Sequence, residues 1–271
     1  MGVVYLAALG VGGLVFSACC PGESTLWRMA VADLAATALV FAASRAFDNS
    51  SVYDPFWSVA PVAIGAALAS SSLRSGLVLA ALAIYGVRLT ANWVRGWAGL
   101  HHEDWRYADF RTRYPRAYWL ISAFGIHLFP TLQVFLGCLP LFFALPSSAP
   151  FGVLDGVAVF VILASTAVEG VADEQLRRYR LAGGVGACTV GLWQLSRHPN
   201  YLGEIGVWFG VWLAGVAVGA PWWTAAGWVA IFVMFVGVSI PMAERRALQR
   251  RPEYADIQRR IPMLFPNPFR R

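Results

Sequence analysis

The sequence predicts an all-α, polytopic integral membrane helix bundle of about eight transmembrane helices, and three observations carry that prediction. Of 271 residues, 58% are hydrophobic and only 13% are charged, whereas a soluble domain carries about 25% charge. Mean hydropathy is positive, at +0.57. Residues 1–22, 55–73, 117–154 and 205–243 contain no Asp, Glu or Arg, against the ~20 apolar residues a helix needs to cross a bilayer.

The first run predicts a helix near 3–20. It lacks the basic start of a cleaved signal. Phe16-Ser-Ala-Cys19 places Phe where a lipoprotein cleavage site wants Leu, and the first six residues miss the Ser or Thr of a myristoylation pattern. The helix is therefore expected to be retained. A second helix is expected near 26–44. The third, near 55–71, opens on Asp54-Pro55, the pattern of a capping acid before a first-turn proline. A fourth follows near 75–94. The run 117–154 is long enough for two crossings and breaks at Pro146-Ser-Ser-Ala-Pro150, giving helices near 117–145 and 151–171. The last run breaks at Gly219-Ala-Pro221, giving 200–219 and 222–243. No repeat, low-complexity tract or linker divides the chain, so 1–271 reads as one transmembrane domain: an extra N-terminal helix at about 3–20 and a core from about 26 to 271.

All 21 basic residues are Arg. The absence of Lys excludes Schiff-base chemistry and a Walker-A phosphate loop. Net charge is +6, but the arginines interrupt apolar runs rather than coat a soluble face, so nucleic acid is not expected as a partner. With eight crossings, eighteen arginines fall on one side and two, Arg28 and Arg74, on the other, while Arg88 lies within the fourth helix. That bias predicts an inner-membrane protein with both termini cytoplasmic. Four cysteines without CxxC spacing and four scattered histidines predict packing residues and no metal site.

Ionisable groups within or beside spans are costly and mark candidate sites. On the fourth helix Tyr85, Arg88, Asn92 and Arg95 share one face. On the sixth and its extension, Glu169, Asp173, Arg177 and Arg180 do the same, either as a self-supporting salt-bridged surface or as a ligand site. The third cluster is Ser196-Arg197-His198-Pro199-Asn200-Tyr201-Leu-Gly-Glu204. Here arginine and free amide groups meet at a helix start, as in phosphate sites, with ordinary capping as the alternative. Tyr53-Asp54 completes the set.

The 196–204 block resembles the signature of membrane sterol reductases, which include the Δ14-sterol reductases. From about Asp48 to Pro266 the chain is similar to the steroid 5α-reductase family, in its DUF1295 branch. Tyr53-Asp-Pro-Phe-Trp-Ser-Val-Ala-Pro61, Tyr85-Gly-Val-Arg88, His102-Glu-Asp-Trp-Arg-Tyr107 and Asp173-Glu-Gln-Leu-Arg177 support the likeness. The resemblance implies a seven-helix core, to which the first helix is extra, and an NADPH-dependent reductase. Hydride would pass to the β-carbon of an α,β-unsaturated carbonyl, on a steroid-like or other apolar lipid. By matched position, Tyr53, Asp54 and Tyr85 would be catalytic. Asp173, Arg177, Arg180, Asn200 and Glu204 match cofactor-contacting positions, with Arg95 a looser match. Arg88, Arg197, His198 and Tyr201 join them as candidate cofactor contacts from their place in the polar clusters, all on the cytoplasmic side. Tyr53 stands where the steroid enzymes have glutamine, and Asp54 where they have glutamate. Isoprenylcysteine carboxyl methyltransferases share an Arg-His-Pro-x-Tyr-x-Gly block. That second likeness would give Glu244 and Tyr254 a role in binding S-adenosylmethionine. A non-catalytic lipid-binding protein is a third reading.

Overall fold

A computed structural model describes residues 1–18 and 22–266, so Cys19, Cys20 and the last two arginines lie outside the described residues. Ten principal helices and no strand make up the described chain. They are α1 Gly2–Ala18, α2 Thr25–Ala46, α3 Phe56–Leu68, α4 Leu73–Gly96 and α5 Trp105–Arg113. Then come α6 Tyr118–Ala144, α7 Val153–Leu181, α8 Pro199–Val216, α9 Trp222–Arg250 and α10 Tyr254–Arg260.

Each expected crossing has its helix. Five of them (α2, α4, α6, α7 and α9) are long and apolar enough to span a membrane, as expected for an all-α polytopic membrane bundle. At 13 residues, α3 is about 20 Å long, shorter than the ~30 Å hydrocarbon core. Outward-facing Leu6, Ile84, Val87, Leu120, Phe160 and Val233 are each more than half exposed, an apolar belt that water would not tolerate and lipid does. α6 carries a π-helical stretch at Ser122–Leu128, and α9 carries one at Phe235–Ser239.

Close packing of α7 on α8 positions the buried polar groups. A Cβ on Gly203 would stand 2.6 Å from the Glu169 Cβ and 2.7 Å from the Ser165 carbonyl. Only glycine lets the two backbones approach so far, the device of small-residue interfaces in membranes. On α4, a Cβ at Gly86 would meet the Ser58 carbonyl at 2.7 Å. These approaches set Tyr85 and Arg88 opposite Glu169 and Glu204.

At one end of the bundle arginines gather on the short helix α5 and in the last turns of α7 and α9. Asn49 Nδ2 donates to the carbonyls of Leu100 and His102 at 2.8 and 2.9 Å, tying the α2–α3 turn to the segment before α5. At the other end Arg74 makes a two-pronged bond to Asp155, 2.5 and 2.9 Å, and donates to the carbonyls of Ala149 and Pro150.

Candidate functional site

The polar face predicted on α4 meets polar groups of the helices packed against it, while the buried Arg88 Nε has no hydrogen-bond partner among the described residues. Glu204 Oε1 accepts from the Tyr85 hydroxyl at 2.7 Å and from the indole N–H groups of Trp57 and Trp208 at 2.8 Å each. Arg88 pairs with Glu169 and, at 2.8 Å, with Asp173, whose same oxygen accepts from Asn92 at 3.0 Å. Asn200 also faces Asp173. Tyr85, Glu169 and Glu204 are almost wholly buried. Two acids thus pair with the half-buried Arg88, and Glu204 stands near enough to act on it by charge without a direct bond, an arrangement unlike a solvated helix surface.

The self-supporting alternative for α7 is thereby corrected: Glu169 and Asp173 reach across to Arg88, not along the helix to Arg177. Arg177 instead forms a two-pronged pair with Glu174, at 2.8 Å for each arm. Arg178 bonds the same carboxylate, and Arg95 stands 3.9 Å from it. Arg180 is exposed, with no ion pair among the described residues. The matched set thus divides into a buried network (Tyr85, Arg88, Asp173, Asn200, Glu204) and an exposed arginine edge (Arg95, Arg177, Arg180).

Beside the network lies a cavity of about 590 Å³. Trp57 belongs to both, lining the cavity while bonding Glu204. Tyr53 and Asp54 form part of the cavity wall, as do Trp93 and Tyr201. The Tyr53 hydroxyl meets Thr131 Oγ1 at 2.8 Å, and its ring packs on His127 at 4.9 Å. Tyr85 is not among the lining residues, so the three residues matched to catalytic positions are not brought to one surface.

Asp54 departs from its predicted place as a cap. Pro55 occupies the cap position of α3 without a side-chain bond, leaving the carboxyl to accept from the Tyr107 hydroxyl at 2.6 Å. Burial pushes the Asp54 carboxyl up from 3.8 to about 6, against the opposing pull of the Arg106 charge and the Tyr107 bond. Burial likewise raises the Tyr53 and Tyr107 phenols. Arg106, also in the wall, bonds Asp104 at 2.8 Å. Tyr107 and Arg106 were not singled out from the sequence as site residues. The signal was present in 102–107, but nothing in the sequence says that α5 folds back onto the α3 entrance.

The predicted anion site at the start of α8 is also differently used. Arg197 bonds Glu244 at 2.7 Å and the carbonyls of Gln258 and Ile261 at 2.9 and 2.7 Å. His198 bonds the same Glu244 oxygen at 3.0 Å and stacks on Tyr201. The guanidinium therefore fastens the C-terminal segment to α8, its donors satisfied within the chain. Among the described residues no group of His, Cys, Asp and Glu is arranged to bind a metal.

The chain matches the model of a family described as "Protein of unknown function (DUF1295)" over residues 40–261. It is similar to the "Uncharacterized protein C594.04c" of Schizosaccharomyces pombe (strain 972 / ATCC 24843). That relative is 27% identical over 254 residues, covering 80% of this chain and 73% of the yeast protein. No solved structure matches. The family match covers the cavity and the network, while α1 and most of α2 precede it.

Proposed function

The chain belongs to the DUF1295 family, and from that premise and the site geometry we propose an NADPH-dependent membrane reductase acting on the C=C bond of an α,β-unsaturated carbonyl in an apolar, steroid-like lipid. One observation carries this reading: Tyr53 and the Tyr107-bonded Asp54 share the wall of an aromatic-lined cavity. Hydride addition at the β-carbon of an enone places negative charge on the carbonyl oxygen, and preorganised donors there lower the barrier. The phenol of Tyr53 is such a donor when Thr131 donates to it, and the Tyr107 hydroxyl, which donates to Asp54, orients that carboxyl beside it. Asp54, protonated up to about pH 6, is suited to pass on the proton that the α-carbon takes to complete the reduction.

The donor set fits the cofactor. Trp57, Trp93 and Tyr201 offer flat apolar faces for a nicotinamide. Arg95, Arg177 and Arg178 surround the single carboxylate of Glu174, and Arg180 adds a fourth guanidinium, a surplus of fork-shaped donors for phosphates. When bound, NADPH supplies the hydride. In the same reading the Arg88–Asp173–Glu204 network fixes the floor beneath it, and Arg197 with His198 holds the adjoining start of α8. The arginine bias supports a cytoplasmic position for this end, in a bacterial inner-membrane protein.

The test is ligand-induced stabilisation of the purified chain. NADPH is expected to raise the thermal midpoint and S-adenosylmethionine to leave it unchanged. Stabilisation by S-adenosylmethionine alone would replace the reductase with a methyltransferase, and stabilisation by neither would leave a lipid-binding protein.

A further inference from the structure

A second cavity, of about 180 Å³, lies between α1, α2 and α3. Leu9 and Phe16 of α1, Met29 of α2 and Phe56 and Ile64 of α3 give it an apolar wall. Asp33 is the exception. It is 7% exposed, it lines the cavity, and its Oδ2 is fully enclosed with no hydrogen-bond partner. The nearest arginine in sequence, Arg28, is committed elsewhere: it donates to the Phe16 carbonyl and lies over the Phe16 ring.

Asp33 is the ninth residue of α2, about 12 Å from the start and 20 Å from the end at 1.5 Å per residue, and therefore well inside a helix long and apolar enough to span a membrane. A carboxyl at that depth is expensive, and such groups lie against a partner or a ligand pathway. Among the described residues the chain provides no hydrogen-bond partner for its Oδ2. α1 and Asp33 both precede the family match at residue 40, so the α1 and α2 walls of this cavity are additions to the matched core, which supplies the α3 wall.

We propose that the α1–α2–α3 cavity binds a lipophilic amine, with the ammonium group on the Asp33 carboxylate. An apolar cleft with one unpaired acid complements a ligand with an apolar body and a single positive charge. In so dry a setting that ion pair is much stronger than at a water-exposed surface. The cavity has the volume of about six water molecules at ~30 Å³ each, enough for the amine-bearing end of a ligand whose chain continues into lipid. The proposal does not depend on the reductase reading.

The experiment uses the full chain in phosphatidylcholine nanodiscs, with n-octylamine and n-octanol as probes. Octylamine is expected to raise the thermal midpoint of the wild-type protein by about 2 °C or more, octanol to have no such effect, and Asp33→Asn to abolish the response to octylamine. Asn fills the same volume and breaks no existing bond. Equal responses to the two probes in the wild-type chain would overturn the proposal, a comparison that needs no variant. An undiminished octylamine response in Asp33→Asn would overturn it equally.

Discussion

The Tyr85 hydroxyl donates to Glu204 Oε1 at 2.7 Å across the α4–α8 interface, and the same oxygen takes the indole protons of Trp57 and Trp208. One carboxylate oxygen thus joins three helices and supports the wall of the large cavity through Trp57.

This convergence orders the costs of substitution. Tyr85→Phe removes one bond to a charged acceptor and leaves two, a loss of about 1.5–3 kcal/mol. Glu204→Ala strands the buried Tyr85 and Trp208 donors and the part-buried Trp57 N–H, so its loss is expected to be larger, about 3–5 kcal/mol. Unfolding in detergent, followed by tryptophan fluorescence, measures both. A milder effect for Glu204→Ala than for Tyr85→Phe would contradict the geometry.

The Gly203 contact gives a separate test of how the network is positioned. Gly203→Ala drives a methyl group against the Glu169 Cβ and the Ser165 carbonyl, and overpacking of this kind costs about 1–3 kcal/mol. Because Glu169 is the residue displaced, affinity for NADPH is expected to fall with stability. Gly13→Ala, where nothing stands within 4 Å of the new methyl, is the control: it should leave NADPH affinity unchanged and should not lower stability.

The helices were legible in the sequence because span length and hydropathy are properties of single segments. Partnership between segments was not. Spacing put Glu169 and Asp173 on the same face as Arg177, but a helix wheel cannot say that Arg88 of another helix comes closer. The Asp-Pro pair was read as a cap because local chemistry permits it, whereas Tyr107, more than fifty residues away, takes the carboxyl. One acid among alanines scarcely changes the hydropathy of its run, so Asp33 is not legible in the sequence, and only the packing of α1, α2 and α3 around it shows that its Oδ2 has no partner among the described residues.

Arg74 and Asp155, each about 1% exposed, illustrate the asymmetry of buried ion pairs. Asp155→Asn leaves the guanidinium with neutral partners and is expected to destabilise by about 3–5 kcal/mol. Arg74→Met combined with Asp155→Leu removes both charges and should recover most of that loss. Thermal unfolding of the two variants decides this. A double variant as unstable as Asp155→Asn would mean that the carbonyl bonds to Ala149 and Pro150, not the charge pairing, carry the site.

Asp54 makes stability depend on pH in a defined direction. Its carboxyl ionises at about 6 in the folded chain rather than 3.8, so the folded state keeps its proton longer than the unfolded state. The stabilisation is fully present below about pH 4 and is lost as pH rises through 6. The wild-type midpoint should therefore fall relative to Asp54→Asn between pH 4 and 6, and the difference should level off near pH 7. A difference that grew as pH fell would show that the carboxylate is the favoured form. Asp54→Asn is also expected to lower enone turnover more than tenfold while changing NADPH affinity less than about twofold.

Arg197 separates a fastening role from a cofactor role. Its guanidinium spans Glu244 and the carbonyls of Gln258 and Ile261, a geometry that needs the planar fork and that a Lys ammonium cannot reproduce. Arg197→Lys is expected to release residues 251–266, speeding limited proteolysis there by about fivefold or more, since cleavage follows the population of the opened segment. NADPH affinity should change much less than tail protection. The opposite result, an intact tail with binding weakened tenfold, would return Arg197 to the phosphate-binding role that its place at the start of α8 suggested, because a guanidinium engaged by the cofactor need not be the one that fixes the C-terminal segment.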